Sequence, residues 1–173
     1  MSMIPAMTTL HSMPLATPLA TPLVTPLAAP VRPAPGTRAD YTVFRPVTTR
    51  WMDNDVLGHV NNAHYYSYFD SAVCAVLVKL GMLNLRGASH VVIMAESGCR
   101  FHKEVAFPDA LTAGLRVARL GTSSIRWEIA VFREDDQVAS AEGFMVHVCA
   151  DVATHRPAPL PDAWRTKLET LGA

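Results

Sequence analysis

One segment of the chain has the hydrophobic repeat of an amphipathic helix. Apolar residues recur at positions i, i+3, i+4 and i+7 over Tyr65–Leu80, a spacing that places them on one helical face. Asn61 and Asn62 precede the segment as candidate N-caps, and Gly81 follows it as a stop signal. The pattern predicts a helix over about residues 62–80.

On both sides of this helix the apolar period changes to two, which is typical of β-strands. One strand is predicted before the helix and four after it, and tight turns between the later strands require antiparallel pairing. The predicted class is therefore α+β, with a sheet of about five strands wrapped around one long helix. A bulge is expected at Gly98. The predicted strand regions are 41–50, 91–105 with that bulge, 111–117, 125–131 and 138–149, and a short helix is predicted over 162–171.

The first 40 residues have a different composition from the rest. Residues 1–37 hold eight of the 13 prolines, no aromatic residue and one charged side chain, Arg32. A near-repeat of Pro-Leu-Ala-Thr places proline at every fourth position from Pro14 to Pro26, which prevents a helix and removes strand donors. We expect a disordered extension over residues 1–40 and one folded domain over 41–173.

Charge and cysteine content exclude several classes of function. Lys plus Arg and Asp plus Glu each number 15, so the net charge is zero and no basic excess favours nucleic acid. The longest apolar run, Ala72–Val78, is far shorter than the ~20 residues of a membrane span. Three scattered cysteines suggest neither a disulfide framework nor a metal site. A cytoplasmic protein without metal or cofactor is expected.

The chemistry-bearing residues are concentrated between Asp55 and Tyr65. A carboxylate, Asp55, comes just before the start of the predicted helix, where unpaired backbone N–H groups and the helix dipole favour negative charge. Such a carboxylate can attack a carbonyl carbon or activate water while the N–H groups hold the oxyanion. Acyl transfer suits this arrangement, although helix capping by Asp53, Asp55 and the asparagines would explain the same residues.

The motif Asp-x-x-Gly-His-Val-Asn-Asn-x-x-Tyr, followed by an aromatic amphipathic helix, resembles the hotdog-fold thioesterases of the 4-hydroxybenzoyl-CoA thioesterase-like family. The resemblance covers roughly residues 41–149 and implies hydrolysis of an acyl thioester. It implies that Asp55 is the catalytic carboxylate and that the backbone N–H of Asn62 polarises the thioester carbonyl. It also implies close approach of substrate at Gly58, and contact with Tyr65. His59 is expected to position the loop or the carboxylate.

The loop also resembles that of plant acyl-carrier-protein thioesterases, with departures. In those enzymes an Asn two residues after the Asp joins the catalytic set, and here that position is Leu57. Their downstream Glu aligns loosely with Glu104, which is a weak substrate-site candidate. Asp53 is expected to form hydrogen bonds within the loop.

The resemblance implies an acyl-CoA substrate, with coenzyme A as part of the substrate and not a separate cofactor. It also implies a homodimer or homotetramer, because an unpaired sheet edge favours pairing with a second copy. Two other functions stay open. One is a hydratase or dehydratase of acyl thioesters, although its Asp and His should be five residues apart around Asn-Pro, whereas Asp55 and His59 are four apart. The other is a non-catalytic module that binds acyl thioesters.

Overall fold

One antiparallel sheet and one long helix form the framework of the described domain. The computed structural model describes residues 33–83 and 87–172. The sheet order is β1-β3-β4-β5-β2, and every neighbouring pair is antiparallel, which confirms the predicted α+β class and the five strands. The elements are β1 (Val43–Thr48), α1 (Asn62–Lys79), β2 (His90–Phe101), β3 (Ala110–Leu120), β4 (Ser124–Arg133), β5 (Ala141–Asp151) and α2 (Asp162–Glu169).

Helix α1 has the bounds and caps that its sequence predicts. The Asn61 side chain accepts a hydrogen bond from the Ala63 N–H at 3.0 Å, so it caps the first turn. At the other end Gly81 has φ of 71°, and the N–H of Met82 donates to the Leu77 carbonyl at 2.9 Å. This is the Schellman arrangement that ends many helices. The predicted helix over residues 62–80 is confirmed to within one residue.

The apolar face of α1 lies on the inner face of the sheet and forms the core with it. Phe69, Val73 and Leu77 of the helix are fully buried, as is Trp127 of β4. Gly143 of β5 makes room for this contact, because a Cβ there would lie 2.4 Å from the ring of Phe69. Close packing of these side chains holds α1 against the sheet, and with it the start of the helix.

Strand β2 differs from its prediction at two points. The register shift lies between Met94 and Glu96, whereas Gly98 pairs regularly with Phe144, so the bulge predicted at Gly98 is wrong. Gly98 is needed there because a Cβ would lie 2.6 Å from the Phe144 ring. The strand also ends at Phe101, four residues early, because the next two N–H groups, of His102 and Lys103, both donate to the Ser140 carbonyl and turn the chain. Beyond this turn the Val105 carbonyl accepts the N–H of Val60 at 2.8 Å.

The domain begins before residue 41. The Arg38 N–H donates to the Gln137 carbonyl at 2.9 Å, and the Gly36 carbonyl accepts the N–H of Ala139 at 2.9 Å. The Arg38 guanidinium also lies 4.8 Å from the centre of the Phe132 ring, a favourable cation–π distance. The end of the predicted extension is thus part of the folded domain, a correction that composition alone could not reveal. The rest of that prediction, residues 1–32, lies outside the described residues.

Neither helix in the described ranges has the length and apolar character needed to cross a lipid bilayer.

Candidate active site

The loop between β1 and α1 contains a tight turn that is closed by its own backbone hydrogen bonds. Asn54 and Val60 form an isolated antiparallel bridge, and the Asp55 N–H donates to the His59 carbonyl at 2.9 Å. Gly58 lies inside this turn with φ of 86°, a conformation that glycine adopts without strain. The Oδ1 atom of Asp55 accepts the Leu57 N–H at 2.8 Å. The turn therefore presents the Asp55 carboxylate in a defined direction.

The first residue of α1 has a free backbone donor. Asn61 precedes it and donates its own N–H to the Asp53 carbonyl at 2.9 Å. Ala63 and His64 donate to the side chain and carbonyl of Asn61. In the described part of the chain no backbone acceptor is bonded to the N–H of Asn62. Since the dipole of α1 adds positive potential at this end, Asn62 offers a site for a developing negative charge.

Five of the six residues predicted for the site line one cavity. This cavity has a volume of about 430 Å³ and lies between the loop, the start of α1 and the segment after β2. The sixth residue, Gly58, lines an adjoining cavity of about 440 Å³ instead. A Cβ at Gly58 would meet nothing within 4 Å, so within this chain glycine is required there by its backbone conformation. The lining of the first cavity is Asp55, Leu57, His59, Val60, Asn62, Tyr65, Phe101, His102, Lys103 and Glu104.

His59 lies between two carboxylates. Its Nδ1 atom is 3.8 Å from Oδ2 of Asp55, and its Nε2 atom is 4.0 Å from Oε1 of Glu104. The side chains of Asp55 and His59 are 23% and 28% exposed, whereas that of Glu104 is 82% exposed. Asp55 and His59 therefore form the inner polar pair of the site, and Glu104 lies at its rim.

Tyr65 forms an apolar wall of the cavity. It is buried, and its ring makes an edge-to-face contact with Phe101 at 5.0 Å between centroids. Burial raises the pKa of its phenol to about 12. The hydroxyl is protonated at neutral pH, as an ordinary tyrosine is, and can donate a hydrogen bond. A neutral aromatic wall fits an uncharged acyl group.

Asp53 lies behind the loop and does not line the cavity. Its side chain is fully buried, which by itself raises the pKa of a carboxyl group. Hydrogen bonds from Tyr68 and from the backbone and guanidinium of Arg50 outweigh burial and lower the pKa below its ordinary value. Asp53 is thus a buried carboxylate held ionised by its partners, and its predicted part in loop hydrogen bonding is confirmed.

The wall opposite the loop is formed by residues that the sequence did not single out. Phe101, His102 and Lys103 line the cavity, and the His102 and Lys103 N–H groups both donate to the Ser140 carbonyl. A periodicity of two over residues 99–105 predicted a strand. Because consecutive side chains of a strand point to opposite faces, that prediction gave no reason to place three consecutive residues at one site. A signal for this turn would have been the Lys-Glu pair that follows His102 and interrupts the apolar alternation.

Comparison with known proteins assigns the chain to a family. The family model of the thioesterase-like superfamily matches residues 47–168. The chain belongs to the thioesterase-like superfamily. All six predicted site residues fall inside the match, and the sheet and helix are those of the hotdog fold.

Several solved structures resemble this thioesterase-like chain. The PA5185 protein from Pseudomonas aeruginosa strain PAO1 is 41% identical, with 80% of this chain and 97% of that chain covered and a TM-score of 0.76. The PA2801 protein of Pseudomonas aeruginosa is 33% identical over 72% of this chain and 95% of its own, with a TM-score of 0.66. A thioesterase from Thermus thermophilus, solved with coenzyme A and Zn, is 29% identical over 76% and 95%, with a TM-score of 0.62.

A curated relative gives a shorter match to this thioesterase-like chain. The protein YsmA of Bacillus subtilis strain 168 is 23% identical over 88 residues, which are 51% of this chain and 59% of the relative. The chain therefore spans somewhat more than half of that protein's length.

In the described residues no group of three or more His, Cys, Asp or Glu side chains could hold a metal ion.

Proposed function

We propose that the protein hydrolyses an acyl-CoA to a free acid and coenzyme A. The observation that carries this proposal is that Asp55 and Asn62 line the same cavity, with His59 next to Asp55. A carboxylate can attack the thioester carbon or activate water, and a backbone donor at a helix start can hold the oxyanion that forms. Membership of the thioesterase-like superfamily supports the same reaction class.

In the proposed reaction, Asp55 acts as general base or as nucleophile. As a base it takes a proton from water, whose oxygen bonds to the thioester carbon while the carbonyl oxygen gains negative charge. The N–H of Asn62 donates to that oxyanion. The carbon–sulfur bond then breaks, the carbonyl reforms, and the thiolate takes up the proton that Asp55 had accepted. Nucleophilic attack by Asp55 would instead break the carbon–sulfur bond, release the thiolate and give a mixed anhydride, which water hydrolyses to the free acid and the Asp55 carboxylate.

His59 is proposed to orient the Asp55 carboxylate. At 3.8 Å the Nδ1 atom of His59 is too far from Oδ2 for an ordinary hydrogen bond, yet near enough for a charge or a bridging water to act between them. Since Oδ1 of Asp55 is already occupied by the Leu57 N–H, Oδ2 is the oxygen available to react. A group beside Oδ2 therefore influences the reacting atom directly.

Coenzyme A is the proposed thiol because the similar thioesterase from Thermus thermophilus is complexed with it. The three cysteines are free thiols, which suits a reducing compartment, and a cytoplasmic location is part of the proposal.

The proposed assembly is a homodimer that pairs the free edges of two copies of β2. Strands β1 and β2 are the two edges of the sheet. Strand β1 has six residues and contains Pro46, which discourages pairing at that edge. Strand β2 has 12 residues and exposes Ile93 and Met94. Two such dimers could form the tetramer that the family resemblance also allows.

The test is a thiol-release assay over short, long, aromatic and enoyl CoA thioesters, with the products identified by mass spectrometry. Free thiol and free acid in equal amounts support the proposal. Water added to an enoyl-CoA without thiol release would identify a hydratase. Saturable binding of acyl-CoA without either product would identify a binding module and would overturn the proposed hydrolysis.

A further inference from the structure

A cluster of hydrogen bonds around the buried Asp53 carboxylate lies directly behind the candidate site. The Asp53 carboxylate accepts the backbone N–H of Arg50 at 2.8 Å and the hydroxyl of Tyr68 at 2.7 Å. The Arg50 guanidinium approaches its other oxygen at 3.0 Å. A fully buried carboxylate is stable only with such partners. Hydrogen bonds to an ionised group are also shorter and stronger than neutral ones, so this cluster is rigid.

Within this cluster, Asp53 connects the loop to helix α1. Tyr68 lies on α1, six residues after Asn62, so the Asp53 side chain reaches into the second turn of the helix. The backbone carbonyl of Asp53 accepts the N–H of Asn61, the residue that caps α1. Asp55 follows Asp53 by only two positions. The side chain and the backbone of Asp53 therefore set the distance between the carboxylate of the site and the start of α1.

We infer that Asp53 and Tyr68 are positioning residues, whose hydrogen bond holds the first turn of α1 in register with Asp55. The inference rests on the proposed thioester hydrolysis, because it assigns the cluster a part in that reaction. A misplacement of about 1 Å between reacting groups can reduce a rate by ~10²-fold. The oxyanion donor acts mainly in the transition state, so displacing it lowers kcat more than it changes KM.

Tyr68→Phe is the test, and Tyr41→Phe is its matched control. Both substitutions remove from a buried tyrosine the hydroxyl that donates to a carboxylate, since Tyr41 donates to Glu142 at 3.1 Å. Tyr41 belongs to a separate apolar cluster with Ala130 and Phe132, and it lines neither cavity at the loop. Asp53→Asn is a second variant, because the amide keeps the shape of the side chain and weakens the hydrogen bond without removing it.

Two measurements are made on each full-length variant. Hydrogen exchange at the Asn61 amide reports how firmly the helix start is held, independently of activity. Thiol release gives kcat and KM. For Tyr68→Phe we expect Asn61 exchange to accelerate by about tenfold or more and kcat to fall by about tenfold, with KM within about threefold. Asp53→Asn should also accelerate Asn61 exchange and lower kcat. Tyr41→Phe should leave the Asn61 exchange rate and kcat within about twofold of the parent.

Each outcome decides the inference. Unchanged Asn61 exchange in both Tyr68→Phe and Asp53→Asn would overturn it, as would faster exchange with an unchanged kcat. An equal loss of kcat in Tyr41→Phe would also overturn it, because the effect would then be general destabilisation. If the parent protein releases no thiol, the proposed function fails. The part of the inference that gives Asp53 and Tyr68 a role in hydrolysis then fails as well. The exchange comparison would then still show whether Asp53 and Tyr68 hold the helix start.

Discussion

Replacing Asn62 with proline should remove the proposed oxyanion donor without unfolding the helix. Proline has no backbone N–H, but it is well tolerated at the first position of a helix, because that N–H has no partner within the helix. Asn62 occupies this position in α1. Proline also requires extended backbone in the residue before it, and Asn61 already has φ of −58° and ψ of 137°.

The expected effect follows from the strength of one donor to an oxyanion. Loss of such a donor lowers kcat by ~10²–10³-fold, equivalent to about 3–4 kcal/mol of transition-state stabilisation. The substitution should change the free energy of unfolding little, since no hydrogen bond made by the Asn62 N–H to another backbone group is lost. Asn62→Ala removes the side chain and keeps the N–H, so it is the matched control and should retain kcat within about threefold.

The assay is thiol release under saturating acyl-CoA, with urea unfolding of all three proteins alongside. Loss of turnover in Asn62→Pro but not in Asn62→Ala, at equal stability, would identify the backbone N–H as the donor. A folded Asn62→Pro protein that turns over within a few-fold of the parent would refute the reasoning. So would an Asn62→Ala variant as impaired as the proline variant, because the side chain would then be responsible.

Three further predictions concern stability and assembly. Asp53 has a pKa below its ordinary value of 3.8, so its contribution to stability is complete above that pH and is lost as the pH falls through the lowered value. Between pH 7 and pH 3 the free energy of unfolding, measured with urea, should therefore decline less in Asp53→Asn than in the parent. An equal decline in the two proteins would contradict this. Gly143→Ala should lower the free energy of unfolding by roughly 1–3 kcal/mol, because its Cβ would lie 2.4 Å from Phe69 and 2.6 Å from the Gly98 carbonyl oxygen. Gly172→Ala is the control: its Cβ would have no contact under 3.4 Å, so its Tm should be near that of the parent. Light scattering at micromolar concentration should give about twice the chain mass of 18.8 kDa, and Ile93→Lys should shift the population toward monomer; a fully active monomer would refute the proposed dimer.

The sequence predicted the helix and the loop well because their signals are local. An amphipathic period, an Asn cap and a terminal glycine act within a few residues of one another, and α1 begins and ends where they indicate. The same holds for Asp55, His59 and Asn62, which are close in sequence and stay close in space.

Features that depend on distant partners could not be predicted in this way. The bulge in β2 falls between Met94 and Glu96, because it is set by pairing with β5 and not by the glycine at 98. The turn after Phe101, which brings Lys103 to the cavity, is fixed by hydrogen bonds to Ser140. The role of Asp53 depended on Tyr68, which lies 15 residues away, and a loop aspartate gives no local sign that it is buried.

Turnover of Asp55→Asn tests the central claim most directly. The Asn side-chain oxygen can still accept the Leu57 N–H that Oδ1 of Asp55 accepts at 2.8 Å, so the loop should keep its shape. Asp151 is a matched control, since its Oδ1 accepts the Thr154 N–H at 2.8 Å and it lines none of the cavities at the loop. If Asp55 is the reacting carboxylate, Asp55→Asn should lose at least ~10²–10⁴-fold in thiol release with an unchanged Tm. Asp151→Asn should retain the parent rate, and His59→Ala should lose less than Asp55→Asn. An Asp55→Asn protein that folds, binds acyl-CoA and hydrolyses it within a few-fold of the parent would contradict the account.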